Sequence, residues 1–104
     1  MVPSDDRASW GGRPVARCVG SLGPRQRVVT EGKIVSAGAR AWRGGPAWAC
    51  ELDDGTGRIT LVFGGIRAVP GMVPGARCRV RGTALPDPES GTLALWNPCY
   101  ELVS

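Results

Sequence analysis

The chain has 104 residues and a formal net charge of +4, with an isoelectric point of about 9.3. This length allows one domain with a modest core. The 16 glycines and 9 prolines argue against long helices, and the chain has no histidine, the commonest general base and metal ligand.

Short strands separated by frequent turns predict a small barrel or sandwich. No apolar run approaches the roughly 20 residues that a membrane-spanning helix requires. Residues 1–6 are acidic and lack the apolar region of a secretory signal. We therefore expect a cytoplasmic protein with no membrane partner.

The four cysteines, Cys18, Cys50, Cys78 and Cys99, are far apart and form no C-x-x-C pair. Zinc sites need closely spaced ligands, and disulfides are rare in the cytosol. We expect four free thiols and no metal, with Cys50 and Cys78 as small core residues.

Residues 1–24 are rich in Gly, Ser, Pro and charge and show no apolar periodicity. This composition predicts a flexible tail before a folded domain at 25–104. The alternative, in which Trp10, Val15 or Val19 docks on that domain, stays open.

The first strand is predicted at 27–37. Gly32 interrupts it, and a glycine inside a strand pattern often marks a bulge or a bend. Such a bend lets one strand serve both halves of a barrel. Residues 38–46 are rich in glycine and are expected to form a loop.

A β-hairpin is predicted around a two-residue turn at Asp54-Gly55, because Asp and Gly tolerate the positive φ of such turns. The residues on either side alternate in polarity, which places one face of the pair on a core. The inward residues are Trp48, Cys50, Leu52, Ile59, Leu61 and Phe63. Val62 breaks the alternation as an apolar residue on the outer face.

Gly and Pro break the segment 64–75, so it is expected to be an irregular crossover or one helical turn. Ile66, Val69 and Met72 are expected to plug the end of the barrel. A fourth strand at 76–84, a loop at 85–91 and a fifth strand at 92–96 follow. Asn97-Pro98 ends that ladder, and residues 99–103 form a short extension.

Five strands, a glycine in the first of them and the turn Asp54-Gly55-Thr56-Gly57 together resemble an OB-fold. The likeness covers about 26–103 and is similar to anticodon-binding-type domains, helicase wedge domains and small stand-alone bacterial nucleic-acid-binding proteins. It implies an all-β, five-stranded Greek-key OB-fold barrel with a short irregular or one-turn helical crossover between strands 3 and 4.

The resemblance also implies a ligand face on strands 2 and 3, flanked by the loops after strands 1 and 4. Trp42, in the expected glycine-rich loop, is the best candidate for stacking on a base, with Arg40 and Arg43 contacting phosphate. Trp96 is expected as a second platform or as a lid on the barrel end. The candidate nucleic-acid-binding residues are Arg40, Trp42, Arg43, Arg58, Thr60, Val62, Arg77, Arg79, Arg81 and Trp96.

No nucleophile motif, phosphate-binding loop or dinucleotide fingerprint is present, so we expect no enzyme activity, cofactor or small-molecule substrate. The predicted function is binding of single-stranded nucleic acid, DNA more than RNA. A protein partner or a second domain in trans is a further expected partner. The alternative function is a protein-interaction or accessory subunit of a larger nucleic-acid-processing assembly. For Arg77, Arg79 and Arg81 the alternative is a solvated outer face that binds no ligand.

Overall fold

The computed structural model describes residues 25–103, so the predicted tail at 1–24 lies outside the described residues. The described part is all β-structure. Its six strands are β1 (Arg27–Trp42), β2 (Gly45–Asp53), β3 (Arg58–Gly64), β4 (Arg77–Asp87), β5 (Thr92–Trp96) and β6 (Cys99–Val103). None of the described residues belongs to a helix that could cross a membrane.

The strands close into a ring because β1 pairs with both β2 and β4. The order around the ring is β1-β2-β3-β5-β4. β6 pairs with residues 77–81 of β4, on the side of β4 opposite β1. The β3–β5 contact is parallel and the other pairings are antiparallel. The predicted all-β, five-stranded Greek-key barrel is therefore confirmed, with β6 as an additional strand.

The first strand is longer than predicted and does serve both halves of the barrel. Residues 27–33 of β1 pair with β4, and residues from Lys33 onward pair with β2. At Gly32 a Cβ atom would overlap the carbonyl oxygen of Asp53, so the close approach of β1 and β2 requires glycine. The β-bulge itself lies between Ile34 and Ser36, just after the glycine.

Both hairpin turns differ from the prediction. The segment 38–46 is not a loop, because β1 and β2 are joined by a two-residue turn at Arg43 and Gly44, with φ of 53° and 75°. Positive φ at both positions suits the right-handed strand twist. The turn at Asp54-Gly55 is instead a four-residue loop, 54–57, in which Asp54 Oδ1 accepts hydrogen bonds from Thr56 and Gly57.

The crossover between β3 and β4 is irregular, as predicted, and it closes one end of the barrel. Val69 and Met72 are buried in the main core, whereas Ile66 is exposed, so the prediction is right for two of these three residues. The Met72 carbonyl accepts a hydrogen bond from Trp48 Nε1 at 3.1 Å, which ties the crossover to β2.

In the second half of the chain β4 is longer than predicted, whereas β5 and the extension after it have the predicted bounds. β4 continues to Asp87, into the first part of the loop predicted at 85–91, because its last four residues pair with β5. Asn97-Pro98 does separate β5 from β6, as expected. The Asn97 amide, at a φ of 51°, donates to the Val62 carbonyl of β3 rather than to β4.

The main core contains the predicted inward residues of β2 and β3, including Cys50, and Cys78 from β4. Both are free thiols, and Cys99 is a third, exposed one. Burial raises the pKa of Cys50 and of Cys78 to about 11. Cys18 lies outside the described residues.

We expect the buried thiols of the native chain to resist alkylation. With a pKa of about 11, only about one in a thousand of the Cys50 or Cys78 side chains is a thiolate at pH 8. Both side chains are also buried, so the reagent cannot reach them. Brief treatment with iodoacetamide followed by peptide mass spectrometry should find Cys99 modified and both core thiols free, until denaturant is added. Labelling of Cys50 as fast as Cys99 would contradict this.

Candidate functional site

A second, smaller apolar cluster lies on the outer face of the barrel. Ala47 of β2, Val62 of β3 and Ala94 of β5 are fully buried there, each with 0% exposure. Trp42 and Trp96 pack against them. Val62, the apolar residue that broke the predicted alternation, is therefore buried beneath aromatic side chains rather than offered to a ligand.

The two tryptophans that form this cover are stacked on each other. Their ring centroids are 5.2 Å apart and their planes differ by 28°, a geometry typical of an aromatic pair. The Trp42 ring also lies on Gly64, where a Cβ atom would overlap its six-membered ring. Trp42 is half-buried at the end of β1, so the prediction that it stands in an unpacked, glycine-rich loop is wrong.

A guanidinium group accompanies each indole. Arg43, at the tip of the β1–β2 turn, lies 5.0 Å from the centroid of Trp42. Arg40 lies 5.6 Å from the centroid of Trp96. Both distances allow a cation–π attraction. We call Arg40, Trp42, Arg43 and Trp96 the Arg–Trp cluster. All four belong to the predicted site, and the structure brings them together.

Arg40 is not free to contact a ligand as the sequence suggested. Its two terminal nitrogens donate to the two carboxylate oxygens of Asp87 at 3.0 and 3.1 Å. The side chains are 11% and 1% exposed. Arg40 Nε lies 3.4 Å from Glu89 Oε1, within ion-pair distance but outside hydrogen-bond geometry. The bidentate pair therefore joins the end of β1 to the end of β4.

The surroundings of Asp87 keep it ionised. The hydrogen bond from Arg40 is the largest influence and holds the pKa of the Asp87 carboxyl below its ordinary value, against the opposing effect of burial. The Ser90 side chain and the Glu89 backbone amide act in the same direction. The same pairing raises the pKa of Arg40, which stays charged.

A set of hydroxyl groups covers the outer face beside the Arg40–Asp87 pair. Thr60 Oγ1 lies 3.4 Å from the hydroxyl oxygens of both Ser90 and Thr92, which are 2.9 Å from each other. Thr60 is buried, contrary to the prediction that it faces a ligand. The β4–β5 loop folds over the sheet and covers it, which the alternation along β3 does not reveal.

Arg58 remains exposed at the other end of the sheet but is matched by acids. Its guanidinium lies 3.2 Å from Asp53 and 3.6 Å from Glu51. Asp53 is the register partner of Arg58 on β2, and Glu51 lies two residues earlier on the same strand, opposite Thr60. The local charge on this part of the face is therefore not positive, which weakens any attraction for phosphate.

Arg77, Arg79 and Arg81 lie on a different part of the barrel from the Arg–Trp cluster. They belong to the half of β4 that pairs with the first half of β1 and with β6. Arg79 lies 3.1 Å from Glu31 and 3.6 Å from Glu101. The structure therefore divides the ten predicted site residues into the Arg–Trp cluster with its neighbours Thr60 and Val62, the acid-flanked Arg58, and a separate arginine row.

Asp87 and Glu89 were missed by the sequence analysis. Both fell in a segment assigned as a loop because prolines flank Asp87. The small outer-face residues Ala47 and Ala94 were a signal only for the tryptophans, since they leave room for Trp42 and Trp96 to lie across the sheet.

Comparison of the chain with protein-family models found no match. Comparison with curated protein sequences found none either.

Proposed function

We propose that this chain is a non-catalytic module that binds single-stranded nucleic acid at the Arg–Trp cluster. The observation that carries the proposal is the stacked pair of half-buried indoles on the outer face of the barrel, with Arg43 exposed over Trp42. Aromatic faces stack on bases of any sequence, and arginine pairs with phosphate. The proposal includes a cytoplasmic location, in keeping with free thiols at Cys50 and Cys78.

Arg43 takes the phosphate-binding role that the sequence had divided between two arginines. Among residues 25–103, no acidic side chain lies within ion-pair distance of Arg43. Arg40 is already paired with Asp87, so its role in the proposal is to hold Trp96 in place through the contact with its ring. The base-stacking surface is thereby pre-organised, which lowers the entropy lost on binding.

The experiment is fluorescence anisotropy with labelled single-stranded DNA, single-stranded RNA and duplex DNA at two salt concentrations. Trp42→Leu retains apolar cover over Val62 but removes the aromatic face. It should weaken single-strand binding by about 1–3 kcal/mol and leave the salt dependence unchanged. Trp42→Tyr, which keeps an aromatic ring, should bind nearly as well as the wild type. Arg43→Ala should lower the salt slope by about one unit, the loss of one phosphate contact.

Arg27→Ala is the matched control for Arg43, because Arg27 is also exposed but lies at the start of β1 beside β4. It should leave the salt slope closer to that of the wild type than Arg43→Ala does. Tight binding by Trp42→Leu would contradict the proposal. So would wild-type protein that shows no salt-sensitive binding to any single strand, and the alternative of a protein-interaction or accessory subunit would then lead.

A further inference from the structure

The last strand, β6, is an edge of the sheet. Residues Cys99–Val103 pair with residues 81–77 of β4, and β4 is the only strand that pairs with β6 within the described part of the chain. An edge strand presents alternate N–H and C=O groups that are available to another strand. Its one charged residue, Glu101, lies 3.6 Å from Arg79. A paired charge of this kind opposes the addition of another strand less than an isolated charge does.

One side of β6 is apolar and exposed. Tyr100 and Leu102 are 37% and 47% exposed, and the other large exposed hydrophobic residues among those described are Ile66 and Val73 of the crossover. The crossover is also where Leu102 rests, against Gly71. The exposed large apolar side chains of the described residues thus belong to β6 and to the crossover that Leu102 contacts, a pattern typical of interaction surfaces.

The other side of β6 lies beside the arginine row of β4, Arg77, Arg79 and Arg81. Cys99, Glu101 and Val103 pair in register with Arg81, Arg79 and Arg77. Lys33 pairs with Arg77 on the opposite side of β4, and the acids in this region are Glu31 and Glu101, both of which pair with Arg79. No acid of the described chain lies within ion-pair distance of Arg77. This side therefore carries an excess of positive charge.

We infer that the free edge of β6 binds an extended segment of a partner protein in which apolar and acidic residues alternate. The segment adds a strand through backbone hydrogen bonds, a known mode of peptide recognition. Because successive side chains of a strand point to opposite faces, its apolar residues meet Tyr100 and Leu102 while its acidic residues face the Arg77 side. This inference does not rest on nucleic-acid binding at the Arg–Trp cluster.

Charge complementarity favours an acidic segment over a second copy of this chain. Through its own β6, a second copy would offer one acid, Glu101, which already pairs with Arg79. An acidic segment would place its carboxylates beside Cys99, Glu101 and Val103, so the long side chain of Arg77 has to extend across β6 at Val103 to reach them, while Glu101 stays paired with Arg79. Specificity then comes from the alternation, and the backbone hydrogen bonds supply sequence-independent affinity.

The test uses the full chain and three fluorescein-labelled heptapeptides, kept at concentrations at which light scattering shows them to be monomeric. One alternates valine and glutamate, one alternates valine and lysine, and one carries the same valines and glutamates in two blocks. Fluorescence polarisation should show that the alternating glutamate peptide binds about tenfold or more tightly than either of the others. Equal binding of the alternating and block peptides overturns the inference.

Two variants connect the binding to β6. Arg77→Glu, at an exposed position, should weaken the alternating glutamate peptide about fivefold and shift the preference towards the lysine peptide. Leu102→Asp should weaken the alternating glutamate peptide too. Arg27→Glu makes the same charge change on β1, across β4 from β6, and should have a smaller effect. If Leu102→Asp fails to fold, the charge reversal at Arg77 decides alone.

Amide hydrogen exchange of the full chain locates the contact. In the free protein, alternate amides of residues 99–103 should exchange quickly, and the alternating glutamate peptide should slow them. Any of three results would overturn the inference. The amides of residues 99–103 could already be protected without peptide, which would mean that residues 1–24 occupy the edge. Sedimentation could show a dimer that Leu102→Asp dissociates, or a single-stranded oligonucleotide could protect the same amides and displace the peptide.

Discussion

Replacing Asp87 by alanine should lower the free energy of unfolding by about 3 kcal/mol, because it leaves the buried guanidinium of Arg40 without its bidentate partner. Removing one member of a buried ion pair typically costs 3–5 kcal/mol, and about the lower value is expected here since Glu89 stays near Arg40 Nε. Urea denaturation of wild type and variant at pH 7 measures the difference.

A double variant separates the pair from the packing. Arg40→Met with Asp87→Leu replaces both charges by apolar side chains of similar length, so it should recover most of the lost stability. Glu89→Gln is the matched surface control and should change stability by less than about 1 kcal/mol. If Asp87→Ala is as stable as the wild type, Arg40 does not depend on Asp87 and the outer face is not held by this pair.

The pH dependence of the same variants follows from the lowered pKa of Asp87. A carboxyl with a lowered pKa in the folded state contributes stability above its unfolded pKa of about 4 and loses it as the pH falls through the folded value. The wild type should therefore lose stability below about pH 4. Asp87→Asn, which cannot ionise, should start less stable at pH 7 and lose less over that range.

Replacing Met72 by alanine should cost about 2–5 kcal/mol, the usual range for a large buried aliphatic side chain. Met72 is fully buried where the crossover closes the barrel. The variant keeps the backbone carbonyl that accepts the Trp48 hydrogen bond, so the expected loss arises from the deleted apolar atoms and the cavity they leave.

Ile66→Ala provides the comparison, since Ile66 belongs to the same crossover but is 40% exposed. It should cost less than about 1 kcal/mol. Equilibrium denaturation of the two variants under one condition tests both expectations. Equal losses at the two positions would show that the crossover does not plug the barrel through Met72.

The Arg40–Asp87 pair also bears on the proposed binding surface. Arg40 lies over Trp96, which stacks on Trp42, so the charge network and the aromatic pair share one side chain. A loss of the pair is therefore expected to loosen the indoles as well as the fold. Trp42→Leu leaves the ion pair in place and so separates stacking from stability in the binding experiment.

Much of the fold was predictable because its signals are local. The alternation of Ile59, Leu61 and Phe63 gives a strand with one buried face whatever its neighbours are, and their burial confirms it. Gly32 indicated a first strand that serves two partners, and Asn97-Pro98 indicated a break between strands. Each depends on backbone conformation or side-chain periodicity, which neighbouring residues largely determine.

The outer face was decided by contacts between distant parts of the chain. Thr60 and Val62 alternate outward, yet the β4–β5 loop and the tryptophans cover them. Arg40 and Asp87 are 47 positions apart and meet only because the sheet closes and coils. The alternation in the sequence determined which side chains of these strands point away from the barrel core. Only the tertiary structure determined whether they reach solvent, because that depends on which distant segments fold back over them.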